Sequence, residues 1–375
     1  MKIVIACDSY KDTLTSSEVC YSIENGIKRI NKNIEIVNVP LADGGEGTST
    51  AIQNVLGGET VEVMVHDPLF RKIKSSYVYI DKTKTAIIEM AKASGLELLE
   101  INERNPMNTT TYGTGELILN ALEKGCRNLL ICIGGSATND GGIGMAYALG
   151  AKFYNANGSQ VAIAGKGLID IESIDISDID YRIKECSVKV MCDVDNVLFG
   201  ETGAAYVYAR QKGADDKMIQ FLDEGLKNYA NVLLKDVGVD ISNIKGSGAA
   251  GGLGAGIIAF LNGKINRGID TVIEIVGLEE KLKNADLVIT GEGRIDYQTK
   301  FGKVPYGVAK IAKKHNKPVI AICGSIGERY EELYNCGIDS IFATTTIQTS
   351  AEEYKKTTPL QLEQMSEAIV RIFHI

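Results

Sequence analysis

The sequence predicts an α/β protein of two domains, one carrying a doubly wound parallel sheet and the other a mixed sheet. Three observations point to this. A length of 375 residues corresponds to two domains at about 150 residues each. Toward both ends of the chain, short apolar runs lead through a Gly- or Asp-containing loop into an amphipathic stretch, the grammar of β-loop-α units. Between them, three strand-like runs follow one another with connections too tight for a parallel crossover.

The elements can be justified in order. Lys2-Ile3-Val4-Ile5-Ala6 reads as a strand and leads through Asp8-Ser9 to a helical pattern over about Ser16–Ile30, with Ser16 or Ser17 as cap. Glu35–Val39 is the next strand, and Asp43-Gly44-Gly45-Glu46-Gly47 precedes a helix ending near Leu56. Glu59–Val65, Lys74–Ile80 and Thr85–Met90 are the three tightly joined strands, so a mixed sheet begins near residue 59. Helix Thr114–Lys124, strand Asn128–Ile133 and helix Gly142–Leu149 restore a β-loop-α unit; Val188–Cys192 is a buried strand and Asp215–Val237 a long helix. Ala285–Thr290, Val304–Lys314, Pro318–Cys323, Glu328–Cys336, Ser340–Thr344 and Leu360–Phe373 then alternate strand and helix. The shared grammar of the two ends predicts one discontinuous flavodoxin-like domain, 1–58 plus 281–375, with an inserted α/β domain at 59–280.

Composition narrows the function. With 40 Lys+Arg against 48 Asp+Glu the net charge is −8, which argues against a broad nucleic-acid or anionic-membrane surface and leaves room for a small basic pocket. The eight cysteines form no C-x-x-C pair and sit mostly in apolar runs, where they pack as small hydrophobes, not as a disulfide or zinc framework. The N-terminus opens as a strand, not a signal peptide, and no run approaches the ~18 apolar residues of a membrane span; a cytoplasmic protein is expected. Three histidines, none near a nucleophile in sequence, argue against a Ser-His-Asp hydrolase or a three-histidine zinc enzyme.

Glycine is in excess: 40 residues, about 11% against a typical ~7%. Four clusters hold much of it: 41–48, Gly134-Gly135-Ser136-Ala137-Thr138-Asn139-Asp140-Gly141-Gly142, Gly246–Gly256, and Thr290-Gly291-Glu292-Gly293-Arg294-Ile295-Asp296. A glycine turn ahead of a helix aims backbone N–H groups at an anion, with the helix N-terminus adding partial positive charge. Tight β-α turns would explain the second cluster's glycines alone, but Ser136, Thr138, Asn139 and Asp140 supply more polar groups than a turn needs. Gly246-Ser247-Gly248-Ala249-Ala250-Gly251 satisfies G-x-G-x-x-G, yet no clear strand precedes it and no acidic residue is clearly placed ~20 residues on. A closely packed helix over Ala249–Phe260 stands beside the ligand-loop reading there. Walker A, H-R-D and D-F-G elements are absent, which excludes P-loop and protein-kinase machinery.

Phosphoryl transfer needs carboxylates for Mg²⁺, a cation for the transferring group and often a carboxylate for the nucleophile's proton. Asp8 and Lys11, Asp43 and Glu46, Asp140, Asp193 and Asp195, and Glu292, Arg294 and Asp296 each follow a strand-like run, where open α/β sheets bind ligands. Helix N-capping is the competing account for any single Asp among them.

Asp8-Ser9-Tyr10-Lys11, Pro40 through Thr48, Glu89-Met90-Ala91, Ala93-Ser94-Gly95-Leu96, Thr111 through Glu116, Ile133 through Gly142 and Ile289 through Asp296 together resemble the motifs of the type I glycerate kinases, from residue 1 to about 345. That resemblance implies ATP- and Mg²⁺-dependent phosphorylation of D-glycerate to 2-phosphoglycerate by a two-domain α/β enzyme, one domain flavodoxin-like, with the active site in the cleft between them. Two departures stand near Asp193: Asn196-Val197-Leu198 where the family usually has Asn-Pro-Leu, and Ala209-Arg210-Gln211-Lys212-Gly213 where it often has Gly-Pro-Gln-Lys-Gly.

On this basis Lys11 and Arg294 are expected to clamp the substrate carboxylate or the transferring phosphoryl group, with Lys303 a third cation. Asp193 or Asp296 would take the hydroxyl proton or hold Mg²⁺. Gly134–Gly142 and Gly291–Gly293 would seat nucleotide phosphates, and Asp8, Ser9, Asp43, Gly44, Gly45, Glu46 and Glu292 would complete the binding set. Two other functions compete: a dinucleotide-dependent oxidoreductase, from the match at 246, and a non-enzymatic nucleotide sensor.

Overall fold

Lys2–Cys7 forms the strand that the first apolar run predicts, and its partners come from far along the chain. It pairs in parallel with Glu35–Asn38 on one side and with Leu287–Ile295 on the other, in register Ile3 with Leu287 and Cys7 with Gly291. Val319–Ile326 and Ser340–Ala343 extend the sheet, also in parallel. This computed structural model describes residues 1–45, 47–345 and 351–373. It divides into two units: Met1–Asp43, Thr50–Gly57 and Arg267–Ile375 form the first, and Gly44–Ser49 with Gly58–Asn266 form the second.

In the first unit, taking its strands in chain order, the spatial order is 2-1-3-4-5, the flavodoxin-like arrangement. Ile3, Ile5 and Cys7 join Leu287, Ile289, Ile320 and Ile322 in a core with Val19, Ile23 and Ile27 of helix Ser16–Ile30 and Leu362 and Ile369 of helix Ala351–Phe373. The alternate residues Val4, Ala6 and Val288 are buried too, as in a sheet covered on both faces. Helix Ser16–Ile30 is capped by Thr15, not Ser16 or Ser17: Thr15 accepts from Glu18 N while the Glu18 carboxylate accepts from Thr15 N. The reciprocal box needs its acid three residues after the cap, and only Thr15 has it.

Strand Leu287–Ile295 runs through the predicted glycine loop instead of ending at Thr290. Its pairing with Val319–Ile326 continues to Ile295, and neither Gly291 nor Gly293 has a positive φ. Gly291 is required by sheet packing: a Cβ there would lie 2.1 Å from the Ile322 carbonyl oxygen.

The second unit is built on six strands, in spatial order Lys264–Asn266, Ser187–Met191, Asn128–Cys132, Thr85–Glu89, Lys72–Ile80 and Glu59–His66. The first four are parallel and the last two join antiparallel, as the tight connections predict. Lys152–Tyr154 and Ser173–Asp175 form a small separate antiparallel pair. Helix Asp216–Val232 stops earlier than its apolar pattern suggests and relaxes into a π turn over Leu233–Val237, closed by Gly238 at φ 78. Among the described residues no helix is long and apolar enough to cross a membrane.

Candidate functional site

In the first unit the strand order reverses between Lys2–Cys7 and Leu287–Ile295, and ligands of open α/β sheets bind at the carboxyl ends beside such a reversal. Here those ends carry Asp8 and Ser9, Glu292, Arg294 and Asp296. The Asp8 backbone N–H donates to Gly291 O at 2.8 Å, which carries the first strand's pairing one step past Cys7. Ser9 donates its amide (2.6 Å) and its hydroxyl (3.3 Å) to Asp8 Oδ1. Burial pushes the Asp8 carboxyl well above the usual carboxylate range, and the neighbouring charges of Asp43 and Glu292 push it further.

Glu292, almost fully buried, is also pushed up by burial, against the pull of Lys303. Its carboxylate accepts from Thr299 Oγ1 at 2.6 Å and pairs with Lys303 Nζ at 3.0 Å. Burial acts to lower the Lys303 ammonium, but Glu292, Asp296 and Asp43 outweigh it and hold its pKa above the ordinary value. Asp296 accepts from Gln298 N at 2.9 Å and caps the 3-10 turn Tyr297–Phe301, while Arg294 Nε lies 3.3 Å from its Oδ2. Arg294 is otherwise largely exposed, and so is Lys11, whose backbone passes beside Gly293.

Asp8, Asp43, Glu292 and Lys303 are thus brought together, with Arg294 and Asp296 as a pair on the same strand end. The chain crosses into the second unit between Asp43 and Gly44. Gly44 is in the left-handed region, and Thr48 Oγ1 donates to Gly45 O at 2.7 Å. Glu46 lies outside the described residues.

In the second unit the parallel strands end at Glu89, Cys132 and Met191, and the predicted turn Gly134-Gly135-Ser136 follows the central one. Gly134 and Gly135 are exposed, Gly135 at φ 75, and Gly134 comes close to Gly45. Asp193 is exposed just past strand Ser187–Met191, at the same edge of the sheet. Glu89, quoted in the family motif but given no site role there, is buried and accepts from Ser49 N at 2.8 Å, capping helix Thr48–Leu56, with Lys92 Nζ 3.3 Å away.

Asp140 turns inward. It is fully buried and accepts four hydrogen bonds, from Thr111 N (2.7 Å), Thr111 Oγ1 (2.8 Å), Gly142 N (3.0 Å) and Gly144 N (3.2 Å). Burial raises its pKa and these donors oppose the rise. It is the clamp that shapes the turn, not a side chain offered to a ligand. Thr138 and Asn139 are also fully buried, and among the described residues Thr138 Oγ1 and both polar atoms of the Asn139 amide have no hydrogen-bond partner, which is uncommon in folded proteins.

Lys212 stands in the departing segment 209–213, and the sequence assigns it no site role. It is 1% exposed and donates to Ser136 Oγ and Thr138 O, both at 2.7 Å. Burial lowers its ammonium pKa to about 7, with Asp140 the opposing charge. Its place in Gln211-Lys212-Gly213, after the exposed Arg210 and Gln211, gives no hint of burial from composition alone; only the family motif marks it.

The cluster at Gly246–Gly256 is packing, not a ligand loop. A Cβ on Gly251 would lie 2.0 Å from Thr138 O, one on Gly252 2.8 Å from Gly141 Cα and one on Gly256 2.8 Å from Gly141 O. Ala250, Gly251 and Gly252 take left-handed φ, and Gly251 O accepts from Gly141 N at 3.0 Å. The segment backs the 134–142 turn, and the dinucleotide reading loses the motif that carried it.

An α/β protein with this strand order, an exposed glycine turn and charged side chains at strand carboxyl ends is suited to phosphorylated, anionic ligands. Residues 3–374 fit the model of the glycerate kinase family. The chain is 46% identical over 375 residues to a glycerate kinase of Bacillus cereus, covering 100% of this chain and 98% of that one. It is 48% identical over 356 residues to the glycerate 2-kinase of Escherichia coli K12, covering 95% and 93%. The crystal structure of a candidate glycerate kinase 2 from Salmonella typhimurium LT2 superposes with a TM-score of 0.93 at 44% identity, over 100% of this chain and 98% of that one. The chain belongs to the glycerate kinase family.

Proposed function

We propose that this protein is a cytoplasmic enzyme that transfers the γ-phosphoryl group of ATP to the 2-hydroxyl of D-glycerate. The observation that supports this most is the similarity to glycerate kinases over almost their whole length. In the transfer, the glycerate hydroxyl oxygen bonds to the γ-phosphorus as the bond to the ADP oxygen breaks, and the hydroxyl proton leaves to a carboxylate.

Lys11 and Arg294 hold the anionic oxygens of the substrate or of the transferring group, with Asp296 orienting Arg294 through the 3.3 Å contact. The Gly134-Gly135-Ser136 turn takes nucleotide phosphate. Gly291 and Gly293, being strand residues, bring Glu292 and Arg294 into place and take no phosphate themselves. Asp193 takes the hydroxyl proton or binds Mg²⁺.

Among the described residues no three carboxylate, His or Cys side chains converge as a ready-made metal cage. Mg²⁺ is usually held by one or two carboxylates plus substrate phosphates; the exposed strand-end Asp193 suits such a site, and Asp296, which caps the Tyr297–Phe301 turn and contacts Arg294, is the alternative. The ion supplies charge neutralisation on the phosphates.

Phosphorus NMR of the product from ATP and D-glycerate tests the reaction and its regiochemistry together. 2-Phosphoglycerate is expected; no phosphorylated product, or 3-phosphoglycerate, overturns the assignment. ADP release that does not depend on D-glycerate would favour a different acceptor.

A further inference from the structure

The turn Gly134–Asp140 contains no basic residue, yet an ammonium lies directly behind it. Lys212 has no carboxylate in ion-pair contact among the described residues, and its two hydrogen bonds go to neutral oxygens of the turn. Because Ser136 Oγ accepts a hydrogen bond from Lys212, its own hydroxyl proton is left for another acceptor, and Ser136 is 8% exposed next to the exposed Gly134 and Gly135. The Thr138 carbonyl is held on the Lys212 side, where its negative end is compensated.

We propose that Lys212 is a positioning residue for phosphoryl transfer: from behind the turn its ammonium fixes Ser136 Oγ as a donor to an anionic oxygen of a bound substrate and supplies the positive charge the turn lacks. This rests on the reading that the turn faces a substrate anion. A phosphate of ATP and the carboxylate of D-glycerate present the same acceptor chemistry, so kinetics on each substrate must separate them.

Titratable groups lie on the turn and on the segments next to it. Asp140, on the same turn, is the charge that Lys212 senses, and it is satisfied by four donors. Tyr229, from helix Asp216–Val232, lies against Gly141, and burial pushes its phenol well up. Arg104 presents its carbonyl to Gly213, and Arg210 pairs with Asp216 at the exposed end of the same segment. With burial holding the Lys212 pKa at about 7, the ammonium of the free enzyme loses its proton as pH rises through that value.

The test measures kcat and KM for ATP and for D-glycerate between pH 6 and 9 on the full chain, for wild type, Lys212→Met, Lys212→Arg, Ser136→Ala and the double variant Lys212→Met/Ser136→Ala. Lys212→Met is expected to lower kcat/KM on the order of 100-fold, through the KM of whichever substrate supplies the anion. The double variant should be no worse than Lys212→Met alone, since both remove one relay. Wild-type kcat/KM should fall as pH rises past about 7, and Lys212→Arg should keep activity while losing that fall.

If Ser136→Ala impairs the enzyme and a folded Lys212→Met does not, the role of Lys212 is overturned and the turn reading stands. If neither variant changes any constant, both are overturned. Strictly additive losses overturn the relay. Should Lys212→Met fail to fold, an alkaline fall in Lys212→Arg identical to wild type overturns the proposal.

Discussion

Replacing Asp140 by Asn keeps the side chain's shape and removes its charge, which isolates the clamp from packing. The carboxylate accepts at Oδ2 from Thr111 N, Thr111 Oγ1 and Gly144 N and at Oδ1 from Gly142 N. An amide accepts at one atom only. With its oxygen toward Thr111 and Gly144, its nitrogen meets the Gly142 N–H, so two buried donors face each other at roughly 1–3 kcal/mol each, and three charge-assisted bonds weaken by about 1 kcal/mol apiece. Relief of the carboxylate's burial offsets several kcal/mol of this, leaving a net loss of about 3 kcal/mol. For a unit of roughly 200 residues that lowers the melting temperature by about 6–12 °C. Thermal unfolding followed by circular dichroism, without ligands, measures it. A shift under about 2 °C would refute the view that Asp140 is a structural clamp.

Lys11→Ala should lower kcat/KM for D-glycerate by about 10²-fold; wild-type turnover and KM would remove Lys11 from the site. Asp8 and Glu292 both hold their protons to higher pH in the folded protein than in the unfolded chain, where their ordinary values are 3.8 and 4.5. The native state then binds more protons above those values, so stability falls as pH rises from there toward neutral. Asp8→Asn should therefore raise the urea midpoint at pH 7.5 while lowering activity, and an unchanged or lower midpoint contradicts the crowding of Asp8 by Asp43 and Glu292. Gly291→Ala places a methyl group 2.1 Å from the Ile322 carbonyl oxygen and should cost at least ~3 kcal/mol; a wild-type urea midpoint would show that the strands separate easily.

Much of the architecture is legible in the sequence because apolar periodicity is local. The strand at Lys2–Cys7, the three tight strands from Glu59 to Glu89 and the alternation after Leu287 follow from runs of a few residues. Glycine meaning is not local. Gly135 is a turn glycine, with φ 75, whereas Gly291 and Gly256 are glycines because a carbonyl from another segment stands where a Cβ would be. No pattern within the motif separates these cases. The same holds for acids: Asp8 and Glu292 are found with their neighbours at the strand ends, while Asp140, equally well placed in sequence, is consumed by donors from Thr111, 29 residues earlier. Lys212 is hidden for the converse reason, since burial of a lysine depends on the turn 74 and 76 residues before it.

The pairing of Lys2–Cys7 with Leu287–Ile295 has a consequence for how the chain is made. Lys2 and Asp286 are 284 residues apart, and at ribosomal rates of about 5–20 residues per second the first strand waits some 15–60 s for its partner. The segment from Gly58 to Asn266 is synthesised completely in that interval and holds nearly all of its own sheet and core. It can fold on the ribosome before Leu287–Ile295 is available to pair with Lys2–Cys7. The nascent chain thus carries an apolar strand with an open edge through most of translation, the stage at which chaperone capture or misassembly between neighbouring chains is most costly.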